Sequence, residues 1–173
     1  QAWRVDKMPA GRTLLNHFLQ RKPQLRPVLL PLFDSLLARV EGKSYEDIIA
    51  SPGDWAAALL KTMDLLQTDG IIARYDDAIL AQAAGTPEDE PLQHPGVAAS
   101  VETVRRLTAP AGRSYACVAG MAGPGKLARQ LFPNGEIEAA TRSVKKHYMA
   151  VAESCLKAQP DMLLLFEQTG GTD

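Results

Sequence analysis

The chain has 173 residues, of which 46% are hydrophobic and 23% charged, and its formal net charge is −1. This composition is that of a globular protein large enough to bury one sizeable core, and it argues against an intrinsically disordered chain. No apolar run approaches the ~20 residues of a membrane span, and the first residues lack the apolar core of a signal peptide. We therefore expect a cytoplasmic protein that does not enter membranes.

Charge and cysteine usage narrow the classes of partner. Residues 1–26 carry a net charge of +5 and the remainder carries −6. This basic entry segment has neither interleaved aromatic residues nor a nucleic-acid motif, so we expect a solvated face and no nucleic-acid partner. Cys117 and Cys155 do not form a Cys-x-x-Cys pair, which indicates two buried thiols in a reducing compartment.

The N-terminal segment, residues 1–25, is predicted to be basic and helical. Apolar residues at Leu14, Leu15, Phe18 and Leu19 mark one face of a short helix that Pro23 ends. Residues 26–32 follow as an apolar run that is too short for a helix. We interpret this run as the first strand, although two of its residues are prolines.

The next segments are predicted to be helical from their termini and stripes. Residues 33–40 have a helical pattern, and Ser51, Pro52 and Asp54 form a clear helix start. The stripe that follows, from Trp55 to Leu66, is typical of a helix that packs on a core rather than of a cofactor site.

A second strand, residues 71–75, is predicted after the Asp69-Gly70 turn, and two acids stand at its carboxyl end. In parallel α/β folds this end of a strand faces the site, so Asp76 or Asp77 is a candidate general acid or charge partner. An aspartate here can equally cap the following helix, and the residues alone favour that role.

The third strand, residues 115–119, ends in a glycine turn that runs from Gly120 to Gly125. Glycines allow a close approach of the backbone, and free N–H groups at the start of the next helix can face an anion. Gly120, Met121 and Gly123 are therefore candidate binding residues, while a plain strand-to-helix turn is the simpler interpretation. The stretch is neither a P-loop nor a Gly-x-Gly-x-x-Gly motif.

The last elements are a long helix over 136–159 and a fourth strand over 161–166, which ends at Glu167. The predicted strands begin near 26, 70, 114 and 161, at intervals of 44, 44 and 47 residues. Strands that alternate with helices favour a parallel sheet. We predict an α/β protein of the TIM-barrel-like (β/α)8 class that contains about the first four βα units, in residues 26–173.

Three stretches resemble the uroporphyrinogen decarboxylase superfamily, which also contains cobalamin-dependent methyltransferases. They are residues 69–80 with Gly85, residues 120–124, and residues 158–167, in the family's order. The resemblance implies that Asp77, or Asp76 next, matches the aspartate that contacts the pyrrole nitrogens of the substrate. It also implies that the turn from Gly120 to Gly123 shapes the floor of the site, with Glu167 at the rim.

One departure from the family affects the expected substrate. True decarboxylases carry an arginine-rich loop after the first strand that binds the carboxylates of the substrate, yet residues 27–33 contain no arginine. Unpaired carboxylates are costly to desolvate, so the expected activity is that of a decarboxylase-like lyase on a small molecule other than uroporphyrinogen. The alternatives are a corrinoid-linked zinc methyltransferase and a non-catalytic half-barrel that binds a partner.

The resemblance places the zinc ligands of the methyltransferase branch in the second half of the family's fold. We therefore expect no metal or cofactor in this half, with zinc and a corrinoid partner implied only for the methyltransferase alternative. A half-barrel leaves its outer strands unpaired. We expect it either to form a homodimer or to belong with a missing C-terminal half.

Overall fold

The structure of the chain is a computed structural model, and it describes residues 10–24, 26–74, 80–81, 91–135 and 137–167. Its described elements are helices, a 3₁₀ turn and three strands. They are α1 (Gly11–Leu19), α2 (Asp34–Glu41), α3 (Tyr45–Ala50), α4 (Pro52–Leu66), β1 (Gly70–Arg74), a 3₁₀ turn (Pro91–Gln93), α5 (Pro95–Thr108), β2 (Ala116–Ala122), α6 (Pro124–Leu131), α7 (Ile137–Lys157) and β3 (Met162–Phe166).

The predicted start of α4 is confirmed. The Ser51 hydroxyl accepts a hydrogen bond from the Asp54 N–H at 3.3 Å, and Pro52 is the first helical residue. Trp55, Leu59 and Met63 lie on the buried face of this helix. Local capping chemistry and an apolar stripe were therefore sufficient to place the element.

The three strands form one parallel sheet in the order β1, β2, β3. Ile72 of β1 pairs with Val118 of β2, which in turn pairs with Met162 of β3. The parallel arrangement is confirmed, and together with the surrounding helices it gives a partial barrel-like α/β fold. Parallel neighbours in sequence order are what successive βα units produce.

The two faces of the sheet are covered unequally. The face that carries Ile71, Cys117 and Met121 packs against the helices in the main core. The opposite face, which would line the interior of a barrel, holds a small cluster around Leu15, Ile72 and Val118. Helix α1 contributes Leu15 to this inner face, and the Arg12 N–H donates to the Ser114 carbonyl at 2.9 Å.

The prediction that residues 26–32 form the first strand is wrong. The stretch is extended, but the described chain contains only three strands. Its backbone contacts the start of β1 at one residue, where the Asp69 N–H donates to the Leu29 carbonyl at 3.1 Å. Pro27 and Pro31 stand two residues on either side of Leu29 and have no N–H, so a ladder with β1 cannot continue in either direction.

The predicted glycine turn begins later than expected. Gly120, Met121 and Ala122 belong to β2, and helix α6 starts at Pro124 with Gly123 as its N-cap residue. The ladder explains the difference, because Gly120 pairs with Arg74 on one side and Leu164 on the other. Hydrogen bonds from two neighbouring strands override the local preference of glycine for a turn.

Residues 115–118 and 163–165 show no polar alternation, a pattern that predicts parallel strands buried on both faces. All seven residues of β2 are buried, which agrees with the prediction. In β3 the expectation is wrong, since Leu165 is 45% exposed and the other four residues are only partly buried. The strand lies at the edge of the described sheet, where it has a neighbour on one side only. No helix among the described residues is long and apolar enough to cross a membrane.

Candidate functional site

The carboxyl ends of the three strands define one rim of the sheet. Strand β1 ends at Arg74, β2 at Ala122 and β3 at Phe166. Asp76 and Asp77 come two and three residues after the end of β1, and both lie outside the described residues. The contacts that define the rim therefore come from the ends of β2 and β3.

Glu167 and the start of α6 meet directly at this rim. One carboxylate oxygen of Glu167 accepts a hydrogen bond from the Gly125 N–H, and the other accepts one from the Lys126 N–H, both at 3.0 Å. The N–H of Gly123 donates to the Phe166 carbonyl at 2.9 Å. Both the backbone and the Glu167 side chain therefore connect the end of β3 to the segment that follows β2. The helix N-terminus favours this negative charge through its free N–H groups and its dipole.

Gly123 is required for that contact. A Cβ atom built on Gly123 would overlap the carboxylate group of Glu167. The sequence indicated that N–H groups at this turn can face an anion, with a plain strand-to-helix turn as the simpler interpretation. In the structure, the N–H groups of Gly125 and Lys126 bind the carboxylate of a side chain of the protein itself. Gly123 and Glu167 are thus brought together, and they contact each other.

The other two predicted binding residues lie deeper. Met121 is fully buried and packs in the core on the helix-facing side of β2. Gly120 is paired on both sides and lies one position before Met121. The structure therefore places Gly120 and Met121 inside the strand and Gly123 and Glu167 at its end.

Tyr148 of α7 is a polar side chain near the rim, where it feels the charge of Glu167. It is 8% exposed, and its hydroxyl has no hydrogen-bond partner among the described residues. The pKa of Tyr148 is raised to about 12, mainly by burial, with smaller contributions from the negative charge of Glu167 and from Cys155. The phenol is therefore neutral and can act as a donor. In the sequence, Tyr148 is one position in the apolar stripe of the long helix, and such a stripe gives no indication of a hydrogen-bond donor.

The described residues do not suit a metal ion. No group of three or more His, Cys, Asp or Glu side chains among them is placed to bind one. Cys117 is completely buried in β2, and burial raises the pKa of its thiol to about 12, so the thiolate that a metal requires is disfavoured. Cys155 is also completely buried, and it forms no disulfide.

Arg26, the arginine nearest to the loop that carries the clamp in true decarboxylases, is already paired. Its guanidinium makes two hydrogen bonds of 2.6 Å to the two carboxylate oxygens of Asp69, and one of these oxygens also accepts from the Leu29 N–H at 2.8 Å. The guanidinium lowers the pKa of Asp69, an effect that the Leu29 N–H reinforces and that burial of the carboxyl group opposes. Asp69 precedes β1, so this pair lies at the end of the sheet opposite the rim.

Comparison with known proteins gives a likeness in structure alone. No family model and no curated protein matches the sequence. A solved structure described as a methyltransferase from Methanosarcina mazei is similar to this chain, with a TM-score of 0.74 and 17% sequence identity. The likeness covers 92% of this chain and 59% of that one. The chain thus has the fold of part of a methyltransferase and spans less than two thirds of its length.

Proposed function

We propose that this chain forms the amino-terminal part of a methyltransferase of the corrinoid-linked type. The observation that carries the proposal is the similarity of fold to a methyltransferase over 92% of the chain. At 17% identity the likeness establishes the fold, and the activity is our inference from it. Two buried cysteines that form no disulfide support a cytoplasmic location for such an enzyme.

The pairing of Arg26 favours a methyltransferase over a decarboxylase-like lyase. A substrate with several carboxylates needs cationic partners near the rim to offset the loss of its hydration. Residues 27–33 contain no arginine, and the Arg26 guanidinium binds Asp69 at the opposite end of the strands. Methyl transfer to a thiol makes no such demand, because neither the methyl group nor the thiol carries a carboxylate.

Within the proposed enzyme, the rim would supply part of the wall of the site. Glu167 holds the first turn of α6 in place through the Gly125 and Lys126 N–H groups. Asp77, with Asp76 as the alternative, remains our candidate for an acid that orients substrate. The described residues do not fit a zinc ion, so we assign no zinc ligand and no metal-dependent step to this chain.

A methyl-transfer assay tests the proposal. The protein encoded by the complete reading frame that contains this chain is purified and incubated with methylcobalamin, Zn²⁺ and a panel of thiol acceptors. The visible spectrum reports demethylation of the corrinoid, and mass spectrometry detects the methylated acceptor. We expect transfer to one class of thiol, and we expect Asp77→Asn to slow it. Asp64→Asn is the matched control, since Asp64 is an exposed residue of α4.

A parallel assay separates this function from the alternative. The same protein is supplied with a porphyrinogen that carries several carboxylates, and release of carbon dioxide is measured. Release of carbon dioxide without any demethylation of methylcobalamin would replace our proposal by the lyase reading. No turnover in either assay would favour a non-catalytic module that binds a partner, and it would count against the proposed methyltransferase.

A further inference from the structure

The buried hydroxyl of Tyr148 is a polar group that the proposed function leaves unused. The side chain is 8% exposed, and its oxygen has no hydrogen-bond partner among the described residues. A hydroxyl that loses its hydration without gaining a partner destabilises the fold. The usual explanation for such a group is a water, an ion or a ligand that supplies the missing acceptor.

Tyr148 lies level with the rim of the sheet. It precedes Lys157, the last residue of α7, by nine positions, which correspond to about 14 Å along a helix. Glu167 follows Met162, the first residue of β3, by five positions, which correspond to about 17 Å along a strand. Only a short turn joins the end of α7 to the start of β3. Tyr148 and Glu167 therefore stand at similar heights above that turn.

Glu167 also turns toward the layer that contains Tyr148. Leu163 of β3 packs on the helix-facing core, and Tyr148 belongs to the same core. Side chains alternate along a strand, so Leu165 and Glu167 continue on the side of Leu163. Burial and then the negative charge of Glu167 raise the pKa of the Tyr148 phenol, which agrees with this proximity. The hydroxyl and the carboxylate thus lie near each other where α6, α7 and β3 meet.

Three donors surround the position of the Glu167 carboxylate. The N–H groups of Gly125 and Lys126 each hold one of its oxygens at 3.0 Å, while the Tyr148 hydroxyl has no acceptor among the described residues. The dipole of α6 favours a negative charge at this point. Because Glu167 is exposed, its side chain can turn into solvent and leave this position to another anion.

We propose that the start of α6 is a binding site for an oxyanion, with Glu167 as its resident anion, and that a carboxylate or phosphate group of a ligand replaces Glu167 there. The incoming group accepts from the Gly125 and Lys126 N–H groups, and it supplies the acceptor that the Tyr148 hydroxyl lacks. Glu167 is an internal competitor that caps the helix until the ligand arrives. The affinity for anions does not depend on methyl transfer, whereas a role in holding an anionic methyl donor or acceptor rests on the proposed function.

Helix α5 provides an internal comparison. It begins with Pro95 and Gly96, as α6 begins with Pro124 and Gly125, and the N-cap residue of neither helix contributes a side-chain hydrogen bond. The two glycine N–H groups therefore occupy the same position in their helices. Gly96 reports how strongly the start of a helix attracts anions by itself.

Nuclear magnetic resonance of the protein encoded by the complete reading frame, labelled with ¹⁵N-glycine, tests the site. Inorganic phosphate and acetate are titrated at constant ionic strength, and Gly125→Ala and Gly96→Ala variants assign the two signals. In Glu167→Ala we expect a saturable shift of Gly125 with an affinity about tenfold or more above that of the wild type, because a tethered competitor acts at high effective concentration. The Gly96 signal should not saturate. The tighter of the two anions distinguishes a phosphate ligand from a carboxylate ligand.

Tyr148→Phe tests the third donor. Added to Glu167→Ala, it should weaken anion binding about tenfold, as expected for the loss of a hydrogen bond to a charged group. The urea midpoint should not fall, since the hydroxyl has no described partner to lose. Tyr115→Phe is the matched control, because Tyr115 precedes β2 at the opposite end of the sheet.

Three outcomes would each overturn the proposal. They are a Gly125 signal that does not saturate in Glu167→Ala, an equal affinity at Gly96, and an affinity that Tyr148→Phe leaves unchanged. All three are measured without turnover. Failure of the methyl-transfer assay would therefore leave the anion site standing, and loss of the anion site would leave the methyl-transfer assay to be judged by itself.

Discussion

The ion pair between Arg113 and Asp161 yields the largest stability effect that we expect from a single substitution. Asp161 directly precedes β3, and its side chain is 4% exposed, while that of Arg113 is 3% exposed. One carboxylate oxygen accepts from the Arg113 guanidinium and from the Cys117 N–H, both at 2.9 Å. The other accepts from Arg12 at 2.8 Å, and Arg12 is 46% exposed.

The change to make is Asp161→Asn, which keeps the size of the side chain and an acceptor for the Cys117 N–H. It leaves the Arg113 cation buried without a counter-charge, and breaking a buried pair in this way costs about 3–5 kcal/mol. Loss of the exposed Arg12 contact adds about 0–1 kcal/mol. We therefore expect a loss of at least ~3 kcal/mol, a large share of the ~5–15 kcal/mol that stabilises a typical domain.

Urea unfolding at a fixed protein concentration measures this loss. With a slope of ~2 kcal/mol per molar urea, the midpoint should fall by about 1.5 M or more. Arg12→Ala is the matched comparison, with an expected loss of about 0–1 kcal/mol. Adding Arg113→Met to Asp161→Asn should recover part of the stability, because the buried charge is then removed as well.

Two outcomes would contradict this expectation. If Asp161→Asn lowers stability by no more than Arg12→Ala does, the Arg113 cation is not buried in the manner described. If the double variant is less stable than Asp161→Asn by the full amount of a second independent loss, the two side chains are not coupled. Either result would refute the argument from burial.

Three further predictions concern single sites. Glu167→Ala should lower the free energy of unfolding by about 0.5–1.5 kcal/mol, because α6 loses its cap. The control is Glu153→Ala at an exposed position, which should change the free energy of unfolding little. Equal effects of the two substitutions would contradict the capping role. Because the folded-state pKa of Asp69 is lowered, its contribution to stability is full above the ordinary aspartate pKa of ~3.9 and is lost as the pH falls through the folded pKa. Asp69→Asn should therefore flatten the stability profile below about pH 4, while Asp64→Asn should leave the slope unchanged; an unchanged slope for Asp69→Asn would refute the assignment. Cys117 should resist alkylation at pH 8 until the protein unfolds, since its thiol is fully buried and burial raises its pKa to about 12; rapid labelling under native conditions would show that β2 opens.

Local chemistry was sufficient to predict most helices from the sequence. Ser51, Pro52 and Asp54 determine where α4 begins through contacts among neighbouring residues, and the structure reproduces them. The same holds for the long helix α7, whose predicted span of 136–159 agrees with Ile137–Lys157. Such elements depend on capping and on an apolar stripe, and both are written in consecutive residues.

The strands depended on what lies beside them. The apolar sequences of β2 and β3 are equally suited to a buried parallel strand. Of the two only β2 is buried, because β3 has a neighbour on one side only among the described strands. Residues 26–32 have a strand-like composition, but the phase of Pro27 and Pro31 relative to β1 prevents a ladder. The residues of a strand do not specify where the strand lies in its sheet. They also do not specify which of its backbone groups face the neighbouring strand.

The candidate site divides in the same way. The sequence by itself indicated that Gly123 follows one strand and Glu167 follows another. That both belong to one rim was implied only by the family resemblance. Only the tertiary structure decided that they bind each other, with the Glu167 carboxylate on the Gly125 and Lys126 N–H groups. The reason is physical: a hydrogen bond between residues about forty positions apart needs the register of the whole sheet, which no local pattern specifies.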